Sequence, residues 1–177
     1  LSTAKGGHVI EGNVGAGTGT RAMGFKAGIG SASRQVINES TTFTVGILVQ
    51  SNFDGSLVIN KVPIGQLLAH EEFHDEGSIM IILGTDAPLS HRQLRRVLKR
   101  AILGLTRTGW IANNGSGDYI IGFSTTYRTE KKSSLLAEAQ DRIRNDERYL
   151  NPLFHATAAA TEEAILNSLF TANTMIG

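Results

Sequence analysis

The apolar residues of the chain fall into two kinds of run. In Ser78-Ile79-Met80-Ile81-Ile82-Leu83 they are consecutive. A strand that is apolar on both faces is buried on both, so this stretch predicts a central strand rather than an edge. Thr42 to Gln50 is β-branched, largely apolar and flanked by polar residues, which predicts a second buried strand that ends near Asn52. Phe53 to Glu76 is polar and turn-like, with a short strand at Leu57-Val58-Ile59. After Ser90 the spacing becomes that of a helix: Leu94, Val97, Leu98, Ala101, Ile102 and Leu105 share one face, while Arg92, Arg95, Arg96, Lys99 and Arg100 lie largely on the other. Ser90 serves as its N-cap and Gly109 as its stop. Asn113 to Gly117 is a turn that feeds a strand over Asp118 to Thr126. Leu135 to Arg148 follows no single period. Asn151-Pro152 then reads as an N-cap with proline at the first helical position, opening a long helix through Phe170. Strands and helices in this order make one α/β (α+β layered) domain over residues 1–177, without internal repeats.

The early part of the chain departs from both periods. Gly6, Gly7, Gly12, Gly15, Gly17, Gly19, Gly24, Gly28 and Gly30 all fall between Lys5 and Ser31, a density that resists helix and favours extended chain with tight bends. Gly17-Thr18-Gly19-Thr20-Arg21-Ala22 fits the loose dinucleotide fingerprint, yet Met23-Gly24-Phe25-Lys26-Ala27-Gly28 follows where a helix must start. Gly12 to Thr18 has the opening spacing of a phosphate loop without its lysine. The segment is therefore read as a glycine-rich strand pair at a crowded site.

Composition narrows the partners. With 177 residues, a net charge of +1 and 19% charged residues, the chain presents no large field of either sign, so neither nucleic acid nor a membrane surface is implied. The basic helix face lacks interleaved aromatics and is read as a solvated face or an interface. No cysteine is present, which removes disulfides, thiolate nucleophiles and cysteine metal sites. No apolar run reaches the roughly 18 residues of a membrane span and no secretory signal opens the chain. The expectation is a soluble, cytoplasmic protein acting on a small molecule, with the periplasm as the alternative. Leu1-Ser2-Thr3-Ala4 is expected to be an internal point of a longer product.

Chemistry concentrates at one junction, His70-Glu71-Glu72-Phe73-His74-Asp75-Glu76-Gly77-Ser78, and two readings compete there. His70, Glu71 and His74 form H-E-x-x-H, in which two histidines one helical turn apart bind Zn²⁺ and the glutamate activates a water. The longer metzincin pattern continues through Gly77, but its next ligand falls on Met80, a poor ligand for Zn²⁺. The other reading takes Gly77-Ser78 as a cleavage site. Cutting there leaves on one residue both a hydroxyl nucleophile and an α-amine, whose ordinary pKa of about 7.7–8.0 suits a base working near neutrality. Gly77 permits the backbone shapes that attack on the preceding carbonyl requires. On pattern alone a serine at a strand start is most often structural, so the residues by themselves leave the choice open.

Four motifs in order carry a resemblance: Glu11-Gly12-Asn13-Val14-Gly15-Ala16-Gly17-Thr18-Gly19; Val49-Gln50-Ser51-Asn52-Phe53; Gly77-Ser78-Ile79-Met80-Ile81-Ile82 with Thr85-Asp86-Ala87-Pro88-Leu89; and Asn114-Gly115-Ser116-Gly117-Asp118. Together they resemble the self-processing aminopeptidases of the DmpA type, the L-aminopeptidase D-esterase/amidases and β-peptidyl aminopeptidases. The resemblance implies an αββα sandwich like that of N-terminal-nucleophile hydrolases, with different connectivity. It implies a precursor cut between Gly77 and Ser78, so that residues 1–77 end an α-chain and 78–177 form a β-chain. Ser78 is then the nucleophile, Asn52 an oxyanion donor, and Ser116 and Asp118 supports for the Ser78 hydroxyl and amine. No metal or other cofactor is implied, and the substrate is a small peptide, amino-acid amide or ester. The implied assembly is a homotetramer of processed protomers. Such proteins also carry an N-terminal half with an oxyanion tyrosine and an acidic residue for the substrate's amine, and neither has a position in these residues. Against this stand the zinc peptidase and an uncut, inactive binding or scaffold module.

Overall fold

The computed structural model of the protein describes residues 3, 5–38, 41–68, 77–127 and 140–175. Its frame is a sheet in the order β3-β4-β5-β6, built from Ile29–Asn38, Thr41–Asn52, Ser78–Thr85 and Tyr119–Ser124. A two-stranded hairpin, β1 (Arg21–Ala22) and β2 (Phe25–Lys26), precedes it. Strands β3 and β4 run antiparallel from Ile29↔Gln50 to Asn38↔Thr41, and β4 and β5 from Val45↔Thr85 to Asn52↔Ser78. β5 and β6 are parallel, with Met80 beside Tyr119. Parallel neighbours need a crossover. It is supplied by α2 (His91–Leu98) and α3 (Ala101–Arg107), while the short α1 (Ile64–Leu67) lies before β5.

Helix α4 (Glu147–Phe170) packs across β3 and β4 and against α3. Ile79, Ile81 and Leu83 alternate along β5 with no exposure at all and meet Leu153, Ala164 and Ile165 of α4 and Val97 and Ala101 of the crossover in one core. The helix approaches closely because both sides are stripped of side chains. A Cβ on Gly30 would lie 2.0 Å from the Ala164 carbonyl oxygen, and one on Gly104 would lie 2.3 Å from that of Ala158. Thr157 and Thr161, fully buried in α4, donate their hydroxyls to the Leu153 and Thr157 carbonyls at 2.8 Å, so no polar atom is stranded there. Among the described residues the other face of the sheet is open along β6 and part of β5, where Ile82, Tyr119, Ile121 and Phe123 are exposed. No helix of the described residues is long and apolar enough to cross a membrane.

The central position of β5 and the buried β4 are as the pattern predicts. Several elements differ. The crossover helix breaks at Lys99-Arg100, where the Arg100 and Leu103 N–H groups bond three residues back, to Val97 and Arg100. Val97, Ala101 and Leu105 nevertheless stay on the buried face. The last helix starts at Glu147, capped by the Asp146 side chain on the Arg148 N–H at 2.9 Å, and Pro152 lies inside it. Burial of Leu150, 2% exposed, draws the preceding turn into the helix and overrides the local Asn-Pro signal. Leu57-Val58-Ile59 forms no strand; the Leu57 carbonyl accepts the Gly65 N–H, the Val58 N–H donates to the Thr108 carbonyl, and Ile59 and Val62 exchange a mutual pair. The ten-residue β3 has no clear signal in the sequence, because glycine, serine, arginine and glutamine interrupt its apolar positions. His70, Glu71 and His74 lie outside the described residues.

Candidate active site

Three strand ends converge at the site. Antiparallel pairing sets Asn52, the last residue of β4, opposite Ser78, the first of β5. Parallel pairing of β5 with β6 then brings the turn before Tyr119 alongside the same end. That turn is closed by the Ser116 N–H on the Asn113 carbonyl at 3.0 Å.

The contacts divide the work among consecutive residues. The Ser78 hydroxyl oxygen accepts the Gly117 N–H at 3.0 Å. One Asp118 oxygen accepts the Ile79 N–H at 3.0 Å, and the other accepts the Ser116 hydroxyl at 2.8 Å. Asp118 thus fastens the start of β5 to the 113–118 turn, with Ser116 holding its carboxylate from behind. Ser78, Ser116 and Asp118 are half-buried, whereas Asn52 and Gly117 are exposed. The Asn52 side-chain oxygen accepts the Arg21 N–H at 3.4 Å, and the neighbouring Phe53 carbonyl accepts the Met23 N–H at 2.8 Å.

Gly77 carries the backbone strain of the site. Its φ of +125° lies in the region that side chains disfavour, and a Cβ there would stand 2.4 Å from the Asn52 carbonyl oxygen. A cavity of about 290 Å³ opens beside it, lined by Arg21, Met23, Asn52, Phe53, Asp54 and others. The peptide bond before Ser78 therefore borders a space that a small substrate can enter.

The structure brings all four expected residues, Ser78, Asn52, Ser116 and Asp118, to one end of the sheet. The direct partner of the Ser78 hydroxyl is a backbone group of Gly117, which sequence reasoning missed; its place between Ser116 and Asp118 was the available signal. The Gly12–Thr18 stretch holds a 3₁₀ turn, Gly15–Gly17, and the end of the dinucleotide-like motif forms the β1–β2 hairpin with the residues that follow it, rather than leading into a helix. Among the described residues no three His, Asp or Glu side chains cluster as metal ligands would.

Comparison with known proteins adds the family. The chain is 37% identical over 196 residues to a β-peptidyl aminopeptidase of Sphingosinicella microcystinivorans, covering 100% of this chain and 49% of that protein. It superimposes with a TM-score of 0.86 and 48% identity on the PH0078 protein of Pyrococcus horikoshii OT3, covering 96% of this chain and 47% of that one. With the L-aminopeptidase D-Ala-esterase/amidase of Ochrobactrum anthropi the TM-score is 0.84 at 37% identity, over 97% and 47% of the two chains. That structure is described as a prototype for the serine aminopeptidases and a new variant of the Ntn hydrolase fold, and the α/β layers of this chain share it. The chain spans about half the length of each of these proteins. The model of peptidase family S58 matches residues 1–177, and the chain belongs to that family.

Proposed function

We propose that the protein carrying this chain is a self-processing serine aminopeptidase/amidase. The observation that carries the reading is the junction itself: a glycine at φ +125° directly before a serine whose hydroxyl oxygen is already held by a backbone N–H, at the head of the central strand. In the first reaction the Ser78 hydroxyl attacks the Gly77 carbonyl carbon. An ester forms, the amide nitrogen leaves as the Ser78 α-amine, and water hydrolyses the ester to a Gly77 carboxylate. The products are an α-chain ending at Gly77 and a β-chain beginning at Ser78.

In the second reaction the α-amine takes the Ser78 hydroxyl proton as the oxygen attacks a substrate carbonyl. The Asn52 side-chain N–H donates to the oxyanion, together with a tyrosine from outside this chain. Oriented donors of this kind are worth a few kcal/mol each. The leaving group takes the proton back, and water releases the acyl group from Ser78. In this reading Asp118, held by Ser116 and bonded to the next residue's N–H, orients the new amine. The substrate is a small peptide, amino-acid amide or ester next to a free amino terminus, a reading that the relatives' names support. The exposed sheet face fits the inner layer of an αββα sandwich completed by a second sheet, in protomers that assemble as tetramers.

Intact-mass measurement of the full-length protein tests this. The expected result is a break after Gly77 in the parent and an uncut, inactive chain for Ser78→Ala. Persistent activity in Ser78→Ala, or its loss to a chelator alone, would reject the serine mechanism.

A further inference from the structure

The β1–β2 hairpin sits at the proposed site without contributing a reacting group, and its geometry gives it a role. Its two-residue loop, Met23-Gly24, has φ of +52° and +80°. That is the hairpin turn in which the pair next to the loop, here Ala22 and Phe25, exchanges the ladder bonds. Arg21 pairs with Lys26 one step further out, a position whose N–H points away from the partner strand. This N–H meets the Asn52 side-chain oxygen at 3.4 Å. The placement is rigid because Ala22 and Met23 are each only 1% exposed and the Met23 N–H is tied to the Phe53 carbonyl at 2.8 Å.

An asparagine amide has an acceptor end and a donor end of nearly the same shape, and only its surroundings choose between the two flips. A backbone N–H can face only the oxygen; the reverse flip would set donor against donor. We infer that the Arg21 backbone N–H is a positioning group that locks the Asn52 amide with its oxygen toward the hairpin, leaving the NH₂ end to donate to the oxyanion. The inference rests on the oxyanion role proposed for Asn52. On this reading the glycine-rich hairpin serves to hold one backbone donor against one side chain.

The test compares Arg21→Pro, which removes the N–H, with Arg21→Ala, which keeps it, in the full-length processed protein and in an Asn52→Ala background. The hairpin ladder does not use this N–H, so proline leaves the pairing intact. With Asn52 present, kcat of R21P falls about fivefold below that of R21A, the scale of one net hydrogen bond, while KM stays the same. With Asn52→Ala the R21P and R21A values coincide. Equal kcat for the two variants with Asn52 present, or a gap that persists without Asn52, overturns the inference while leaving the serine mechanism standing. Loss of the serine mechanism shows separately, as activity in Ser78→Ala. Should R21P fail to fold, amide hydrogen exchange decides. The Arg21 N–H exchanges at least tenfold faster in Asn52→Ala than in the parent, and an unchanged rate rejects the bond.

Discussion

At the scale of single residues the site is a set of backbone groups as much as side chains. Gly77 shows it best. Its left-handed φ and the 2.4 Å approach to the Asn52 carbonyl oxygen mean that no residue with a Cβ keeps this geometry. Gly77→Ala is expected to slow self-cleavage tenfold or more, read as the fraction of uncut chain against time by intact mass. Cutting at the parent rate would show that the strained shape is not needed for attack. The same feature explains which residues were legible. Pattern alone left Ser78 open, as a serine at a strand start, and it was the resemblance that singled out Asn52, Ser116 and Asp118 beside it. Gly117 and Arg21 act through their N–H groups, which nearly every residue carries, so nothing in their side chains marks them.

Among the elements, the contact between α3 and α4 depends on what is missing from it. Gly104 lies in the middle of α3, where replacement by alanine ordinarily stabilises a helix by about 1 kcal/mol. Here the added carbon would meet the Ala158 carbonyl oxygen at 2.3 Å and the Glu162 nitrogen at 2.8 Å. Gly104→Ala is therefore expected to destabilise by about 1–3 kcal/mol, a reversal of sign that urea denaturation detects. An increase in stability would show that the helices separate at little cost. Element by element, legibility followed the apolar period. β4 and β5 carry strong runs and were readable. The break at Lys99-Arg100 left the buried face Val97, Ala101 and Leu105 in step, so the pattern could not reveal it. The true start of α4 was hidden because Pro152 is tolerated beyond the first turn once Leu150 is buried. β3 lies along the edge of the sheet among small and polar residues, and only its pairing with β4 defines it.

For the whole molecule the two faces of the sheet differ in what covers them. The inner face of β5 is sealed by α4 and the crossover helices. On the outer face the odd-numbered positions of β6, Tyr119, Ile121 and Phe123, are between 52% and 62% exposed. Ile82 of β5 joins them, at 37% exposed. Alternation along an ordinary surface strand puts polar residues on such a face. Here both faces are apolar, which is why β5 alone could be read from sequence as covered on both sides. The proposed sandwich resolves the mismatch by laying a second sheet on this face, and substitution at Ile121 separates the cases. If the face meets solvent, Ile121→Lys changes stability by no more than about 0.5 kcal/mol, as surface replacements do. If a second sheet covers it, the ammonium is forced into an apolar layer and the full-length protein loses more than about 2 kcal/mol. Chemical denaturation of the full-length protein gives the answer. The larger loss is expected, because an uncovered stripe of one tyrosine, two isoleucines and one phenylalanine would itself drive association.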